Sequence, residues 1–395
     1  MKRLPLGSVE VDPAIPVPLS EADATAVRER AAGLRVALLS DAIPGRNGVG
    51  TYYDDLQANL REHLAEVRLF APPASFDPAY RGLQMKMPGD ATQRLYFPSP
   101  GHLRRELRAF DPDVVISATP WLYGVLSIFM ARRMKAAVCI GYHTQIDKLV
   151  GMYWRRFGLG GLAQRVVAWW DRLLFRFGDV VLVHNESLIA AARGGGARDV
   201  ALVGTPVPRL FLDTPEPPLP REVRNVVFVG RLAPEKEIGQ ILEAAELHPE
   251  VRFTVVGEGP LRAEVDAAVA RLANLDVTGW VTREEVLAHV DAADLLVLPS
   301  LYETFGSAAF EAMIRGRPAI VSENCGLRRW EDLAPGVVVM EPGERLAATL
   351  ARVRGLPPAE ITALAERARS GARRLAQRTV DHWLEVLARA SDRSG

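Results

Sequence analysis

The chain has 395 residues, of which 48% are hydrophobic and 24% are charged, as is usual for a globular protein. This length exceeds the size at which a single hydrophobic core keeps growing, so it predicts two domains. The 48 basic and 48 acidic residues cancel to a formal net charge of zero. We therefore expect no nucleic-acid partner, and any anion site must be local.

Cysteine is rare in this chain. Cys139 and Cys325 are far apart in sequence, and each lies in or beside an apolar run. They can form neither a disulfide framework nor a metal cluster, which fits a reducing cytosol. Residues 1–33 are interrupted by acidic side chains and lack the apolar core of a signal peptide. We therefore predict a cytoplasmic protein with an N-terminal extension in which Ser20 caps a short helix through Ala32.

Short apolar runs alternate with helical patterns from Leu34 onward, which predicts parallel sheets covered by helices. The runs of the first half are Val36–Leu39, Val67–Phe70, Val114–Ile116, Ala137–Ile140, Val180–Val183 and Ala201–Val203. Those of the second half are Val226–Val229, Phe253–Val256, Leu275–Val277, Leu295–Leu298, Ala319–Val321 and Val337–Met340. Between the halves, six prolines from Pro206 to Pro220 predict an interdomain linker without regular structure.

The predicted fold class is therefore α/β, with two Rossmann-like doubly wound domains that face each other across a cleft. The predicted segments are an extension at 1–33, a first domain at 34–205, a linker at 206–221, a second domain at 222–378 and a terminal helix at 379–395. Such domains bind ligands at the carboxyl ends of their strands. The segments that follow those ends are the candidate sites.

The first of these segments is Asp41–Gly50, before a helix expected from about Thr51. Gly45, Gly48 and Gly50 would let the backbone approach a ligand without a β-carbon in the way. Since many strand-to-helix turns contain glycine, this loop alone indicates little.

A second candidate in the first domain is Tyr142-His143-Thr144, which follows the run that ends at Ile140. It again lies at the carboxyl end of a predicted strand. A lone histidine is usually structural, so His143 needs further support before it is given a role.

In the second domain, Val226–Lys236 predicts a strand, a loop and a helix start, with Arg231 and Lys236 five residues apart around the turn. Two cations at the N-terminal end of a helix are unfavourable unless an anion joins them. A diphosphate would be that anion. Taken alone, both side chains would more often be solvated surface charges.

The segment Ser300–Glu311 follows a buried run and predicts a tight loop and then a helix start. Such a helix start presents backbone N–H groups and the positive end of a dipole to a phosphate. Glu303 in the loop and Glu311 about one turn into the helix would flank that anion site. This suits a ligand that carries phosphates and hydroxyls; an exposed loop acid and an ordinary helix-surface acid are the alternative.

Together these motifs resemble the retaining nucleotide-sugar glycosyltransferases of family four, which have the GT-B fold. The segments that carry the resemblance are Gly230–Lys236, Val255–Pro260 and the pair Glu303 and Glu311. The similarity extends from about Leu34 to about Leu387. One departure is Gly204-Thr-Pro-Val-Pro208, where the family commonly has an Asn-Gly turn.

The resemblance implies a role for each matched residue of the second domain. Arg231 and Lys236 would hold the donor diphosphate, and Glu311 would hold the ribose hydroxyls. Glu303 would bind hydroxyls of the donor sugar. The backbone of Phe305 and Gly306 would lie beside that sugar and its phosphates.

In the first domain, the resemblance implies that Gly48 and Gly50 face the donor phosphates and the acceptor. His143 would position the donor sugar rather than act as a base. The terminal helix would cross back to the first domain, which would make domain closure part of the reaction cycle.

Asp111-Pro-Asp113 spells the Asp-x-Asp pattern that binds a divalent metal in glycosyltransferases of another fold. It precedes the run Val114–Ile116 and so lies at the amino end of a strand. We interpret it as a cap and turn, and we predict activity without a metal or other cofactor.

The segment from Tyr153 to Phe177 combines arginines with large aromatic side chains, Trp169 and Trp170 among them. An amphipathic segment of this kind can lie in a membrane interface, with its arginines on lipid phosphates. It can equally be a core helix whose arginines extend to solvent. The first interpretation implies a lipid acceptor and peripheral contact with the inner face of the plasma membrane.

The sequence therefore predicts a hexosyltransferase-type enzyme. It would move a sugar from a nucleoside diphosphate sugar to an acceptor hydroxyl with retention of anomeric configuration. A nucleotide-sugar epimerase of the same fold and a non-catalytic nucleotide-sugar-binding protein are the alternatives. The sequence names neither the base, the sugar nor the acceptor.

Overall fold

The computed structural model describes residues 19–43, 48–73, 82–87, 90–119, 122–142, 160–184, 186–303 and 305–393. The chain divides into two compact units. The N-terminal unit contains Pro16–Pro206 and Arg378–Gly395, and the C-terminal unit contains Val207–Gln377.

The N-terminal unit is built on a parallel sheet. Its strands are β1 (Arg35–Leu39), β2 (Glu66–Phe70), β3 (Gly82–Met87), β4 (Asp90–Pro98), β5 (Val114–Ser117), β6 (Ala137–Tyr142), β7 (Val180–Val183) and β8 (Val200–Leu202). Its helices are α1 (Glu21–Ala31), α2 (Gly48–Leu60), α3 (Pro100–Phe110), α4 (Leu122–Met134), α5 (Gly160–Phe175) and α6 (Glu186–Gly194). Six strands form the sheet in the order β2-β1-β5-β6-β7-β8, and all its pairings are parallel.

Each strand of this sheet was predicted from sequence, whereas the antiparallel pair β3 and β4 was not. Ser20 caps α1 as predicted, because its hydroxyl accepts a hydrogen bond from the Asp23 N–H. The helix α2 begins at Gly48, three residues before the expected start at Thr51. Gly48 and Gly50 thus belong to the first turn of a helix.

The C-terminal unit repeats this architecture. Its strands are β9 (Asn225–Val229), β10 (Arg252–Val256), β11 (Leu275–Gly279), β12 (Leu295–Leu298), β13 (Ala319–Val321) and β14 (Val337–Val339). Its helices are α7 (Arg209–Asp213), α8 (Ile238–Leu247), α9 (Arg262–Val269), α10 (Arg283–Ala292), α11 (Ser307–Ile314), α12 (Leu346–Arg354) and the first part of α13 (Pro358–Asp392). The six strands are parallel, in the order β11-β10-β9-β12-β13-β14.

This strand order places a topological switch point between β9 and β12, since the chain leaves β9 for β10 on one side and later returns to β12 on the other. In open parallel sheets, ligands bind at the carboxyl ends of the strands at such a point. The predicted α/β class with two Rossmann-like domains is confirmed.

The proline-rich segment was predicted to lack regular structure, but it contains a short helix. The short helix α7 lies within it, because the prolines stand outside the five helical residues: Pro208 is the N-cap and Pro215 follows the C-cap Thr214. Phe211 of this helix is buried in the C-terminal core. The guanidinium of the buried Arg315 donates to the carbonyls of Phe211, Thr214 and Pro215 at 3.0, 2.8 and 2.6 Å.

The terminal helix is longer than predicted, because α13 begins at Pro358 and runs for 35 residues. Gly371 lies inside this helix. A side chain is excluded at that position, because a β-carbon there would lie only 1.9 Å from the Asp332 carbonyl oxygen. Ala368 and Leu375 pack in the C-terminal core, whereas Trp383 and Leu387 pack in the N-terminal core. One helix thus contributes to both hydrophobic cores.

Candidate active site

The loop after β9 carries the two predicted phosphate-binding cations. Its path is fixed by backbone hydrogen bonds to the neighbouring loop, from Gly230 N–H to the Val256 carbonyl (3.0 Å) and from Leu232 N–H to the Glu258 carbonyl (2.9 Å). A single 3₁₀ turn, Pro234–Lys236, then leads into α8. Arg231 is exposed and Lys236 is half-buried. Arg231 and Lys236 are therefore carried by a hydrogen-bonded loop that directly follows β9.

The loop after β12 carries the predicted sugar-binding carboxylate. Glu303 lies in this loop, and Gly306 is the N-cap of α11 with φ of +101°, a conformation that favours glycine. Phe305 is buried and packs edge-to-face against Phe310, with ring centroids 5.4 Å apart. Glu311 is half-buried, one turn inside α11. This confirms the predicted strand, tight loop and helix, with the helix starting at Ser307.

These two loops meet at the switch point. Lys236 Nζ donates to Glu303 Oε2 in a salt bridge in which the two side chains are 20% and 18% exposed. Leu301 N–H donates to the Glu235 carbonyl at 2.9 Å. A cation suited to phosphate and a carboxylate suited to hydroxyls therefore touch each other, beside the N-terminal end of α11.

This salt bridge was not predicted. Lys236 was expected to bind an external anion, and in the structure its carboxylate neighbour is Glu303. The signal that could have indicated it is topological: the segments of both residues follow strands that pair with each other. Trp280 directly follows β11 at the carboxyl edge of the same sheet and is 71% exposed.

In the N-terminal unit, the loop after β1 is joined to the loop after β5. Asp41 Oδ2 accepts a hydrogen bond from Thr119 Oγ1 (2.6 Å), and Asp41 Oδ1 accepts one from the Tyr123 N–H (2.9 Å). Gly48 and Gly50 lie in the first turn of α2, which follows this loop. His143 lies outside the described residues, as do Gly45 and Thr304.

The Asp-x-Asp pattern is a cap and turn, as predicted. Asp111 is the C-cap of α3 in the left-handed conformation, with φ of 48°. Asp113 accepts a hydrogen bond from the Arg35 N–H at the start of β1 (2.8 Å). Among the described residues, no group of three or more His, Cys, Asp or Glu side chains could hold a metal ion.

The segment with mixed arginines and aromatics is described from residue 160 onward, where α5 shows two different faces. Leu174 and Phe175 are buried, but Trp169 is 60% exposed. Phe177, just beyond α5, is partly exposed and lies 5.9 Å from the exposed Phe129 between ring centroids. Within the described residues, none of the helices has the length and apolar character needed to cross a bilayer.

Comparison with known proteins matches both units. The family model described as Glycosyltransferase Family 4 matches residues 46–208, and the model described as Glycosyl transferases group 1 matches residues 213–369. A GDP-mannose-dependent alpha-mannosyltransferase of Mycobacterium tuberculosis is 30% identical over 317 residues, which cover 75% of this chain and 81% of that protein. A protein of the same description from Mycolicibacterium smegmatis is 28% identical over 398 residues, covering 91% of this chain and 100% of that protein.

Among solved structures, a sucrose-phosphate synthase of Thermosynechococcus elongatus aligns with a TM-score of 0.62 at 18% identity, over 91% of this chain and 97% of that one. This likeness shows the fold. The two Rossmann-like units, each matched by a glycosyltransferase family model, define a GT-B glycosyltransferase. The chain belongs to the glycosyl transferases group 1 family, so its reaction class is glycosyl transfer.

Proposed function

We propose that this protein transfers a hexose from a nucleoside diphosphate sugar to an acceptor hydroxyl with retention of anomeric configuration. The observation that carries the proposal is the contact of Lys236 with Glu303 at the switch point of the C-terminal sheet. A nucleoside diphosphate sugar has its anionic diphosphate directly beside a ring of hydroxyls. It therefore fits a site in which a cation and a carboxylate are neighbours.

The chemistry follows from where charge develops. When the bond from the sugar to the diphosphate breaks, negative charge grows on the departing phosphate oxygen. Arg231, Lys236 and the N–H groups at the start of α11 are suited to stabilise that charge, which is often the largest contribution to catalysis. We propose that these groups act without a divalent metal.

Retention without a covalent intermediate is supported by the salt bridge that occupies Glu303. A carboxylate held in a salt bridge with Lys236 is a weaker nucleophile than a free one. We therefore favour a front-side reaction in which the acceptor hydroxyl attacks on the face that the diphosphate leaves. The departing phosphate oxygen then takes the proton of that hydroxyl, by analogy with the family.

For the donor, GDP-mannose is the first candidate, since two relatives that align with 75% and 91% of this chain are described as GDP-mannose-dependent. The nucleotide base of the donor could stack on Trp280, which is exposed at the same sheet edge as the proposed phosphate site.

For the acceptor, we propose a lipid or lipid-linked hydroxyl. Val166, Trp169, Phe177 and Phe129 are exposed apolar side chains on and beside α5, and arginines of α5 and the turn after it are exposed as well. Exposed aromatics with cations suit the interface of an anionic membrane. The buried Leu174 and Phe175 show that the same helix also contributes to the core.

The test begins with a thermal-shift screen over nucleotide sugars, since a ligand that binds only the folded state raises its stability. The donor that binds is then incubated with lipid and soluble acceptors, and the anomeric configuration of the product is read by NMR. An inverted product would overturn retention. Free nucleotide and an isomerised sugar without any acceptor would favour the epimerase. Loss of activity in EDTA that magnesium or manganese restores would contradict metal independence.

A further inference from the structure

Residues 325–327, which follow β13, lie against the loop that carries Glu303. Glu303 and Cys325 form an isolated parallel β-bridge. The Gly326 N–H donates to the Glu303 carbonyl at 3.0 Å, and the Leu327 N–H donates to the Phe305 carbonyl at 2.8 Å. The backbone on both sides of residue 304 is therefore held by this short segment.

Cys325 adds a side-chain contact to these backbone bonds. Its thiol is 1% exposed and donates to the Phe305 carbonyl, with 3.3 Å between sulfur and oxygen. Burial raises the pKa of this thiol to about 12. The thiol therefore keeps its proton near neutral pH and remains a donor rather than a reactive thiolate.

The same sulfur lies beneath the start of α11. A β-carbon at Gly306, the N-cap of that helix, would be 3.0 Å from Cys325 Sγ. The sulfur and the glycine backbone are thus in tight contact. A side chain at Gly306 would therefore displace the sulfur or the start of α11.

On its other side, the Glu303 loop is held by the β9 loop, through the Lys236 salt bridge and the bond from Leu301 to Glu235. The Glu303 loop is therefore bonded to residues 325–327 on one side and to the β9 loop on the other. Arg231 lies in the β9 loop and Glu311 lies one turn inside α11, so both stand outside the loop that residues 325–327 contact.

We infer that Cys325 is a positioning residue for the sugar-transfer step, acting through the Phe305 carbonyl and Gly306 to hold the Glu303 loop and the first turn of α11. This inference rests on the proposed function. It implies that loosening the loop slows turnover while nucleotide binding is largely kept.

The first experiment compares Cys325→Ala with Cys325→Ser in the full-length protein. The alanine variant lacks the donor, and we expect its kcat to fall about 5-fold, the factor that corresponds to one ordinary hydrogen bond. Its Kd for the nucleoside diphosphate should stay close to that of the wild type. The serine variant keeps a donor of similar size and should retain most of the turnover. Cys139→Ala, in the N-terminal unit, is the matched control.

Equal turnover of the alanine variant and the wild type would overturn the inference. A parallel loss of nucleotide affinity and turnover would overturn it as well, because that pattern indicates general damage to the site.

The second experiment does not depend on turnover. The chain has two cysteines, so Cys139→Ala leaves Cys325 as its single thiol and Cys325→Ser leaves Cys139. Both proteins are treated with Ellman's reagent, alone and with GDP-mannose or UDP-glucose, and the probe that raises the melting temperature is used for the comparison. Because Glu303 is assigned to the sugar, the sugar of a bound donor should hold this loop in place, and labelling of Cys325 should then slow by up to about 100-fold at 100 times Kd.

Labelling of Cys139 should change little under the same conditions. Unchanged labelling of Cys325 with a probe that demonstrably binds would overturn the inference, and so would equal protection of both thiols. Failure of the proposed function is a separate result, because then no nucleotide sugar would shift the melting temperature or be turned over by the wild type.

Discussion

Lys236 and Glu303 form a salt bridge across 67 residues of sequence, joining the loops that follow two neighbouring parallel strands. The positive charge of Lys236 and the negative charge of Glu303 cancel in the ligand-free protein. A diphosphate that approaches Lys236 must share this cation with Glu303, so the two groups balance each other in the free protein. Under the proposed function, sugar hydroxyls bound to Glu303 would free Lys236 to interact with the leaving diphosphate.

Removal of either cation should slow the reaction strongly. We expect Lys236→Ala and Arg231→Ala each to reduce kcat by at least ~100-fold, since each removes an electrostatic contact to a charge that develops in the transition state. Steady-state transfer assays measure this. Arg252→Ala is the control, because its exposed guanidinium lies at the amino end of β10. Near-normal turnover in both site variants would remove the diphosphate assignment.

The two carboxylates should be separable by their effects. Glu311→Gln is expected to weaken nucleotide binding by roughly 10–100-fold, the range for hydrogen bonds to a charged group. Glu303→Gln should lower turnover, while the Kd of the nucleoside diphosphate stays equal or decreases, since a negative charge near the phosphates is lost. Calorimetric titration and transfer kinetics on the same preparations distinguish the two. The opposite pattern would mean that the roles are exchanged.

The repeated sheets could be predicted from sequence because buried parallel strands are continuous apolar runs, such as Leu295–Leu298. The hairpin of β3 and β4 could not, since its residues are polar and apolar in mixed order. Helix α7 was missed because prolines outside a helix look the same in sequence as prolines within one. Contacts such as Cys325 with Phe305 depend on how loops from different strands pack, which no local pattern encodes.

The buried Arg315 should be essential for the stability of the C-terminal unit. It forms a bidentate salt bridge with Asp291, at 2.8 Å from Nε and 2.8 Å from Nη2, besides its bonds to the α7 segment. Arg315→Met leaves Asp291 and several carbonyls without this partner, and we expect a loss of about 3–5 kcal/mol in unfolding free energy. Urea denaturation measures it. Arg209→Met, in an exposed pair with Asp213, should cost less than about 1 kcal/mol; equal losses would contradict the prediction.

Membrane contact through α5 predicts binding to anionic vesicles at low salt and none to neutral vesicles. Each basic residue near the surface contributes on the order of 1 kcal/mol, and salt screens this attraction. Arg165→Glu combined with Arg172→Glu should abolish co-sedimentation, and Trp169 fluorescence should shift to the blue on binding. Arg252→Glu combined with Arg271→Glu, both exposed in the C-terminal unit, serves as the charge-matched control. Absence of co-sedimentation at low salt, with unchanged fluorescence, would favour a small soluble acceptor.

Stability should fall as the pH rises above 9. Burial raises the pKa of both thiols, Cys139 and Cys325, from 9.0 to about 12. Between these values the folded protein holds protons that the unfolded chain has released, so each thiol lowers stability by up to about 1.4 kcal/mol per pH unit. Urea midpoints at pH 8 and pH 10 test this. Cys139→Ala and Cys325→Ala should each show a smaller decrease than the wild type, and identical decreases would contradict the contribution of the thiols.

The sharing of helix α13 between two cores has a consequence for the order of events during synthesis. Trp383 and Leu387 complete the core that contains Tyr52 and Leu38, yet the ribosome makes them only after the whole C-terminal unit. At 5–20 residues per second, the N-terminal sheet therefore waits roughly ten to thirty-five seconds for its last packing partner. During that interval, the apolar surface that α13 later covers is accessible to chaperones.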